Sequence, residues 1–169
     1  PTLQRQIDFN SAIAKEGLKN HYGANVGKVL LNHYGNDVSI RARAMAAAGS
    51  DARMSGCELP AIINSGSGNQ GMTASLPVIE YAKELKVSDE ELYRALVVSN
   101  LITIHLKTGI GRLSAYCGVV SAGAGAASGI AYLHGGRYDA IAHTIVNALA
   151  TVSGMICDGA KPSCAGKIA

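Results

Sequence analysis

A stretch of 24 residues, from 113 to 136, contains no Lys, Arg, Asp or Glu. Fifteen of the 24 are Gly, Ala or Ser, and only five are Leu, Ile or Val. A bilayer span takes ~20 residues, so the length would suffice, but small residues partition poorly into a membrane. We therefore predict a buried helix over residues 113–134, followed by Gly135-Gly136, and no membrane segment.

The composition of the whole chain also indicates close backbone packing. Gly and Ala fill 46 of the 169 positions, and charged residues make up 16%, against roughly 25% in an ordinary domain. We expect part of so uncharged a surface to face another chain, in a homo-oligomer, or a further segment of the same protein. The 48% of apolar residues exclude disorder, and four Cys are too few for a disulfide scaffold. A net charge of +3 without a basic stripe argues against nucleic-acid binding.

The length corresponds to about one domain, and we predict a single helical domain over residues 1–169. The first 21 residues lack the basic stretch and apolar run that are typical of a targeting peptide. We therefore expect a cytoplasmic protein.

Apolar residues recur at helical spacing along most of the chain, so the predicted fold class is all-α. An amphipathic helix covers residues 3–18, and an Ala/Arg-rich helix covers 38–49 with Asn36 as its N-cap. The run 61–63 is too short to predict a strand. The last helix is indicated by the stripe Ile141, Ile145, Leu149, Val152 and Ile156.

The segment after residue 88 predicts a central helix. Ser88 and Glu91 have the spacing of a capping box, which begins a helix. After Arg94 this helix is apolar on every side, and such a helix normally lies in the centre of a fold.

A glycine-rich run, residues 64–71, directly precedes a helix that we predict to extend to about residue 85. Such a run directs several backbone N–H groups towards one point, where the helix dipole also favours an anion. The run is neither a Walker loop nor a dinucleotide fingerprint, and a flexible connector is the alternative. Pro77 would kink a helix that begins at Gly71. The side chains that add donors suited to a carboxylate are Ser65, Ser67, Asn69 and Gln70.

Three of the four cysteines have a spacing that suits a shared metal site. Cys157 and Cys164 lie in one loop after the last predicted helix, and Cys117 lies at the start of the neighbouring helix. Three thiolates without a nearby His favour an iron–sulfur cluster over zinc, which usually takes four protein ligands in structural sites. Three reduced thiols without a metal are the alternative. Cys57 has no partner at ligand spacing and is expected to be a small loop or buried thiol.

Charge is scarce in this chain, so the cations near the cysteines in the sequence are also candidates: Lys107, Arg112 and Lys161. Lys107 and Arg112 equally suit the end of a helix, where the dipole favours a cation. Asp51 and Arg53 are predicted to form a structural ion pair. The five His lack metal-ligand spacing and are expected to pack or to lie on the surface.

Four motifs in the chain are specific: SDARM at 50–54, NSGSGNQG at 64–71, RLSAYC at 112–117 and GMICDGAKPSC at 154–164. Together they resemble the L-cysteine desulfidase family of the UPF0597 type, which is related to the α-subunit of iron–sulfur L-serine dehydratases. The similarity runs through nearly the whole chain. It implies an oxygen-sensitive [4Fe–4S] lyase that converts L-cysteine to pyruvate, ammonia and sulfide without pyridoxal phosphate.

The resemblance also assigns residues to this chemistry. Cys117, Cys157 and Cys164 match the cluster cysteines of the family. The resemblance does not assign the roles of Lys107, Arg112 and Lys161. Our own hypothesis is that Lys107 or Lys161 acts as the general base in a site that keeps its amine neutral, unless the base lies in another part of the protein. L-serine dehydratase, which differs in the leaving group, and a metal-free interaction domain are the alternatives. The residues that match the substrate-contacting segment are Ser65, Gly66, Ser67, Gly68, Asn69, Gln70 and Gly71.

The chain is shorter than the proteins it resembles. Their N-terminal region, with its Cys-Thr-Glu-Pro-type motif, is absent, and they continue with further helices beyond the position of Ala169. We therefore expect a C-terminal piece, truncated at both ends, whose surface contacts the missing N-terminal region.

Overall fold

The computed structural model describes residues 1–111, 114–152 and 154–169, and these form eight α-helices without a β-strand. The predicted all-α fold is confirmed. The helices are α1 (Thr2–Lys19), α2 (Val26–Tyr34), α3 (Val38–Met54), α4 (Gly68–Leu85), α5 (Asp89–Ile110), α6 (Gly118–Leu133), α7 (Tyr138–Val152) and α8 (Ser163–Ile168).

Helices α3, α4 and α6 form the centre of the packing. Helix α3 contacts α1, α2, α4 and α8, while α6 contacts α4, α5 and α7. Eleven of the 17 residues of α3 are buried, and most of them are Ala, so its neighbours can approach from several sides. The largest fully buried side chains lie on α1, α4 and α5 and include Ile13, Met72, Leu76, Ile79 and Leu96.

Helix α6 packs against α5 at the distance that its small residues allow. A Cβ atom added to Gly125 would lie 2.2 Å from Thr103 Oγ1 and 2.5 Å from the carbonyl oxygen of Ser99. Glycine at this position therefore sets how closely the two helices approach. Among the helices of the described ranges, none combines the length and the apolar character that a bilayer span needs.

The prediction that α5 is central is wrong. Its buried face carries small and polar residues as well as Leu96. Its opposite face exposes Val97, Leu101 and Ile104, which are 43%, 60% and 45% exposed. An apolar pattern around a helix does not show which neighbour covers each face. No other described helix covers this face of α5.

Several helix ends differ from their predicted positions. The N-cap of α3 is Asp37 rather than Asn36, since the Asp37 carboxylate accepts hydrogen bonds from the backbone N–H groups of Ser39 and Ile40. Helix α7 ends at Val152, so Ile156 lies outside it. The capping box of Ser88 and Glu91 is confirmed.

Helix α6 begins at Gly118 rather than at residue 113, because residues 115–117 are engaged in a backbone pairing with 155–157. Helix α2, which is short and interrupted by polar residues, was not predicted. Pro77 lies inside α4, which continues through it to Leu85.

The contact between α5 and α6 gives a first testable prediction. Gly125→Ala is expected to lower the free energy of unfolding by about 1–3 kcal/mol, because the methyl group meets Thr103 and the backbone of Ser99. The control is Gly123→Ala on the same helix, where nothing lies within 4 Å of an added Cβ. That variant is expected to be neutral, or more stable by up to about 1 kcal/mol, because alanine favours the helix. Equal stabilities of the two variants in denaturant unfolding would contradict the close contact.

Candidate active site

A short backbone pairing brings two of the candidate thiols together. The N–H of Cys117 donates to the carbonyl oxygen of Met155 at 3.1 Å, and the N–H of Cys157 donates to that of Ala115 at 2.6 Å. Side chains alternate between the two faces of an extended strand, and opposed residues of an antiparallel pair share a face. Cys117 and Cys157 therefore lie on the same face as diagonal neighbours, although α6 and α7 separate them in the sequence.

The third thiol comes from the first turn of α8. The Cys164 Sγ donates to the carbonyl oxygen of Gly159 at 3.7 Å, across the loop that follows Cys157. Gly159 has a φ of +91°, a conformation that glycine adopts without strain. The loop can therefore turn back and place Cys164 beside the two paired segments.

Lys167, which the sequence did not single out, ties α8 to the Cys157 segment. Its ammonium donates to the carbonyl oxygen of Ile156 at 3.0 Å and forms an ion pair with the Asp158 carboxylate. The Asp158 hydrogen bond raises the pKa of Lys167, and the same bond lowers the pKa of the Asp158 carboxyl. Lys167 thus holds the residues on both sides of Cys157.

All three thiols line one cavity of about 460 Å³. Cys117 is buried, Cys164 is half-buried and Cys157 is exposed. Lys107, on α5, lines the same cavity and is only 8% exposed. The polar side chains that also line it belong to Arg53, Ser67, Asn69, Gln70, Ser114 and Tyr116.

The glycine-rich run combines a tight turn with the first turn of α4. Asn64 and Ser67 exchange two backbone hydrogen bonds of 3.2 and 3.1 Å. Ser65 and Gly66, between them, have φ values of +51° and +96°, as in a type I′ turn. Helix α4 begins at Gly68, so the expectation that the loop extends to Gly71 is corrected.

The residues of this run divide into two groups. Gly66, Ser67, Asn69 and Gln70 line the cavity of the thiols, and Ser65 lines an adjoining cavity of about 680 Å³, which Lys107 also lines. The other two glycines allow close packing within the protein. A Cβ on Gly68 would lie 2.6 Å from Arg53 Nε, and one on Gly71 would lie 1.9 Å from the carbonyl oxygen of Ile62.

A network of side-chain amides holds the turn in place. The Asn64 amide donates to Asn100 Oδ1 at 2.8 Å, and Asn100 in turn exchanges hydrogen bonds with Gln6. Asn10 accepts a hydrogen bond from the N–H of Ile62 at 2.8 Å. Gln6 and Asn10 are buried on the inner face of α1, together with Ile13 and Ala14, and a polar residue at the helical spacing of that face is the sequence signal that could have identified them.

The predicted ion pair between Asp51 and Arg53 is wrong. The Asp51 carboxylate is 1% exposed and accepts a hydrogen bond of 2.6 Å from the N–H of Val26, at the start of α2. Burial raises the pKa of this carboxyl. Arg53 instead donates from Nη1 to Asn69 Oδ1 at 3.3 Å. Residues two apart on a helix do not face each other, which explains the difference.

The remaining candidates lie elsewhere or were not placed. Lys161 is exposed and lines neither cavity. Cys57 is half-buried against the core and is not among the described residues that line the cavity of the three thiols. Arg112 lies outside the described residues. None of the five His is among the described residues that line the two cavities.

The positions of the three thiols can be compared with what a single metal ion and an iron–sulfur cluster require. Within the described part of the chain, no three His, Cys, Asp or Glu side chains lie close enough together to hold a single metal ion. The three thiols are instead arranged around a cavity. Cysteine thiolates are the usual ligands of iron–sulfur clusters, so Cys117, Cys157 and Cys164 are the candidates to hold one.

Sequence comparison places the chain among known proteins. The sequence model of the family described as serine dehydratase alpha chain matches residues 1–169. The chain belongs to this family. The predicted relation to serine dehydratase alpha chains is confirmed, and no solved structure matches the chain at a significant level.

Relatives of this serine dehydratase alpha-chain family member carry the name UPF0597 protein. One from Desulfitobacterium hafniense is 78% identical over 167 residues, covering 99% of this chain and 39% of the relative. One from Lachnoclostridium phytofermentans is 68% identical over 169 residues, covering 100% and 40%. One from Fusobacterium nucleatum is 58% identical over 173 residues, covering 99% and 40%. The chain thus spans about 40% of the length of these relatives.

The contacts of Lys167 give the second prediction. In the metal-free full-length protein, Lys167→Met is expected to speed hydrogen exchange at the amides of Cys117 and Cys157 by about 3- to 10-fold, because the carbonyl of Ile156 and the Asp158 carboxylate lose their donor. Exchange measured by mass spectrometry tests this. Lys161→Met, an exposed position in the same loop, should leave both amides unchanged. Equal exchange in the two variants would show that Lys167 does not hold the segment.

Proposed function

We propose that this protein is a lyase that carries out β-elimination on a small L-amino acid, with L-cysteine as the substrate and pyruvate, ammonia and sulfide as the products. The observation that carries the proposal is the single cavity lined by three thiols, Lys107 and the start of α4. Membership of the serine dehydratase alpha-chain family supports a lyase-type reaction on an amino acid, and that family is generally linked to iron–sulfur clusters.

Cys117, Cys157 and Cys164 are the residues that would hold a [4Fe–4S] cluster. If held through three thiolates, such a cluster would supply Lewis-acid chemistry towards the leaving sulfur or oxygen. Cys117 is the N-cap of α6, so the start of that helix fixes its position in the cavity. Pyridoxal phosphate has no part in this proposal.

The start of α4 would hold the polar end of the substrate. The Ser67 side chain makes no capping hydrogen bond to its own helix, so its hydroxyl and the first N–H groups of α4 are available on the cavity side. Gln70 Oε1 is buried without a hydrogen-bond partner in the described part of the chain. A buried acceptor without a donor costs about 1–3 kcal/mol, and the ammonium group of an amino acid would satisfy it.

Lys107 is the lysine whose position supports a role as the base. It is buried and lines both cavities, whereas Lys161 is exposed and lines neither. As the general base, Lys107 would take the α-proton, and the electrons of the Cα–H bond would form the Cα=Cβ bond. The Cβ–S bond then breaks, and its electron pair leaves with sulfur. The resulting 2-aminoacrylate tautomerises to the imine and hydrolyses to pyruvate and ammonia.

L-Serine is the second candidate substrate, because the matching family is described by serine dehydratase and the two reactions differ only in the leaving group. Sulfide released from L-cysteine and pyruvate formed from L-serine, measured side by side on the anaerobic full-length protein, separate the two. A higher kcat/KM for L-serine than for L-cysteine would show that L-serine is the substrate. No turnover of either would leave the metal-free interaction domain as the function.

The ligand assignment gives the third prediction. Cys157→Ser in the anaerobically reconstituted full-length protein is expected to abolish sulfide release and the thiolate-to-iron absorbance at about 400 nm, because one cluster ligand is removed. The matched control is Cys57→Ser, which removes a thiol that lies outside the cavity, and it should retain both. A Cys157→Ser protein with an unchanged spectrum and activity would overturn the assignment.

A further inference from the structure

Arg53 is a cation in the candidate active site to which the proposed reaction assigns no task. It is the penultimate residue of α3, and its side chain passes directly over the first residue of α4. A Cβ on Gly68 would lie 2.6 Å from Arg53 Nε and 3.0 Å from its Cδ. Glycine at position 68 therefore leaves the space through which the guanidinium reaches the cavity of the three thiols.

The charge of Arg53 is not neutralised by the described part of the chain. No Asp or Glu of the described residues forms an ion pair with it, and the three residues outside that part, Arg112, Leu113 and Ser153, are not acidic. Its one side-chain hydrogen bond there is the 3.3 Å contact to Asn69 Oδ1. A guanidinium has five N–H donors, so most of its capacity remains for a ligand.

The surroundings of Arg53 favour an anion with two oxygens. No carboxylate is among the described residues that line the cavity, and the start of α4, whose backbone N–H groups favour an anion, also faces it. Arginine binds a carboxylate through two parallel hydrogen bonds, which fixes the orientation of the ligand as well as its charge. A half-buried guanidinium beside Ser67 and Asn69 therefore has the chemistry of a carboxylate-binding group.

We propose that Arg53 binds the α-carboxylate of the amino-acid substrate and so restricts the site to free amino acids. This inference rests on the proposed function, because it assigns the carboxylate of the same substrate. Arg53, with the polar groups at the start of α4, anchors one end of the amino acid, while the leaving group points towards the thiols. Substrates whose carboxyl group is esterified or amidated lose this contact and are expected to have a lower kcat/KM.

The test compares an acid with its ester in the anaerobic full-length protein. Arg53→Gln is expected to raise KM for L-cysteine about 10- to 100-fold, the loss that follows from removing hydrogen bonds to a charged group. Its kcat/KM for L-cysteine methyl ester should stay within about twofold of the unmodified protein, because the ester makes no ion pair. Arg53→Lys keeps the positive charge but cannot form two parallel hydrogen bonds to a carboxylate. Its KM for L-cysteine should therefore lie between those of the unmodified protein and Arg53→Gln.

Two controls separate this role from a structural one. Arg43→Gln, an exposed position on the same helix, should leave both substrates unaffected, and the iron content of every variant should equal that of the unmodified protein. If Arg53→Gln lowered kcat/KM equally for L-cysteine and for its methyl ester, Arg53 would act only by positioning Asn69, and the proposal would be overturned.

A binding measurement keeps the inference testable if the proposed reaction fails. Thermal unfolding of the full-length protein is followed with L-serine, L-cysteine or their methyl esters. The free amino acids, but not the esters, are expected to raise the Tm of the unmodified protein, and Arg53→Gln should lose this shift. If these Tm shifts were observed in a protein that turns over neither amino acid, the proposed reaction would be rejected, but the carboxylate-binding role of Arg53 would be supported. No shift with any free amino acid, or equal shifts in both proteins, would overturn it.

Discussion

The backbone pairing of residues 115–117 with 155–157 is the contact on which the candidate site depends. It joins the segment before α6 to the segment after α7, so the two ends of this helix pair are held together. The pairing fixes the register in which Cys117 and Cys157 share a face, and a shift by one residue would turn one thiol away. Cys164 is then added by α8, which Lys167 ties to the same segment.

The small residues of the chain bring this pairing to the start of α4. A Cβ on Gly118 would lie 2.4 Å from the Gln70 side chain, so the first residues of α6 and α4 touch. Two helix N-termini thus face one cavity, and both favour negative charge there. The Arg53 guanidinium adds to this effect. The arrangement suits thiolates on one side and a carboxylate on the other.

Local signals in the sequence predicted much of this arrangement, and long-range contacts account for what they missed. Helical periodicity located α1, and the capping box located the start of α5, because both signals lie within a few neighbouring residues. The start of α6 was placed too early, because the partner that holds residues 115–117 lies beyond α7. Arg53 was predicted to form an ion pair with Asp51 because the two residues are close in sequence. Its contacts are instead to Gly68 and Asn69 on another helix.

The central claim is that the three thiols hold one iron–sulfur cluster. Iron and acid-labile sulfide in the full-length protein after anaerobic reconstitution test it most directly. The account predicts about four irons and about four sulfides per chain, as in a [4Fe–4S] centre. A folded protein that binds no iron under these conditions, with its cysteine thiols still free to react, would contradict it.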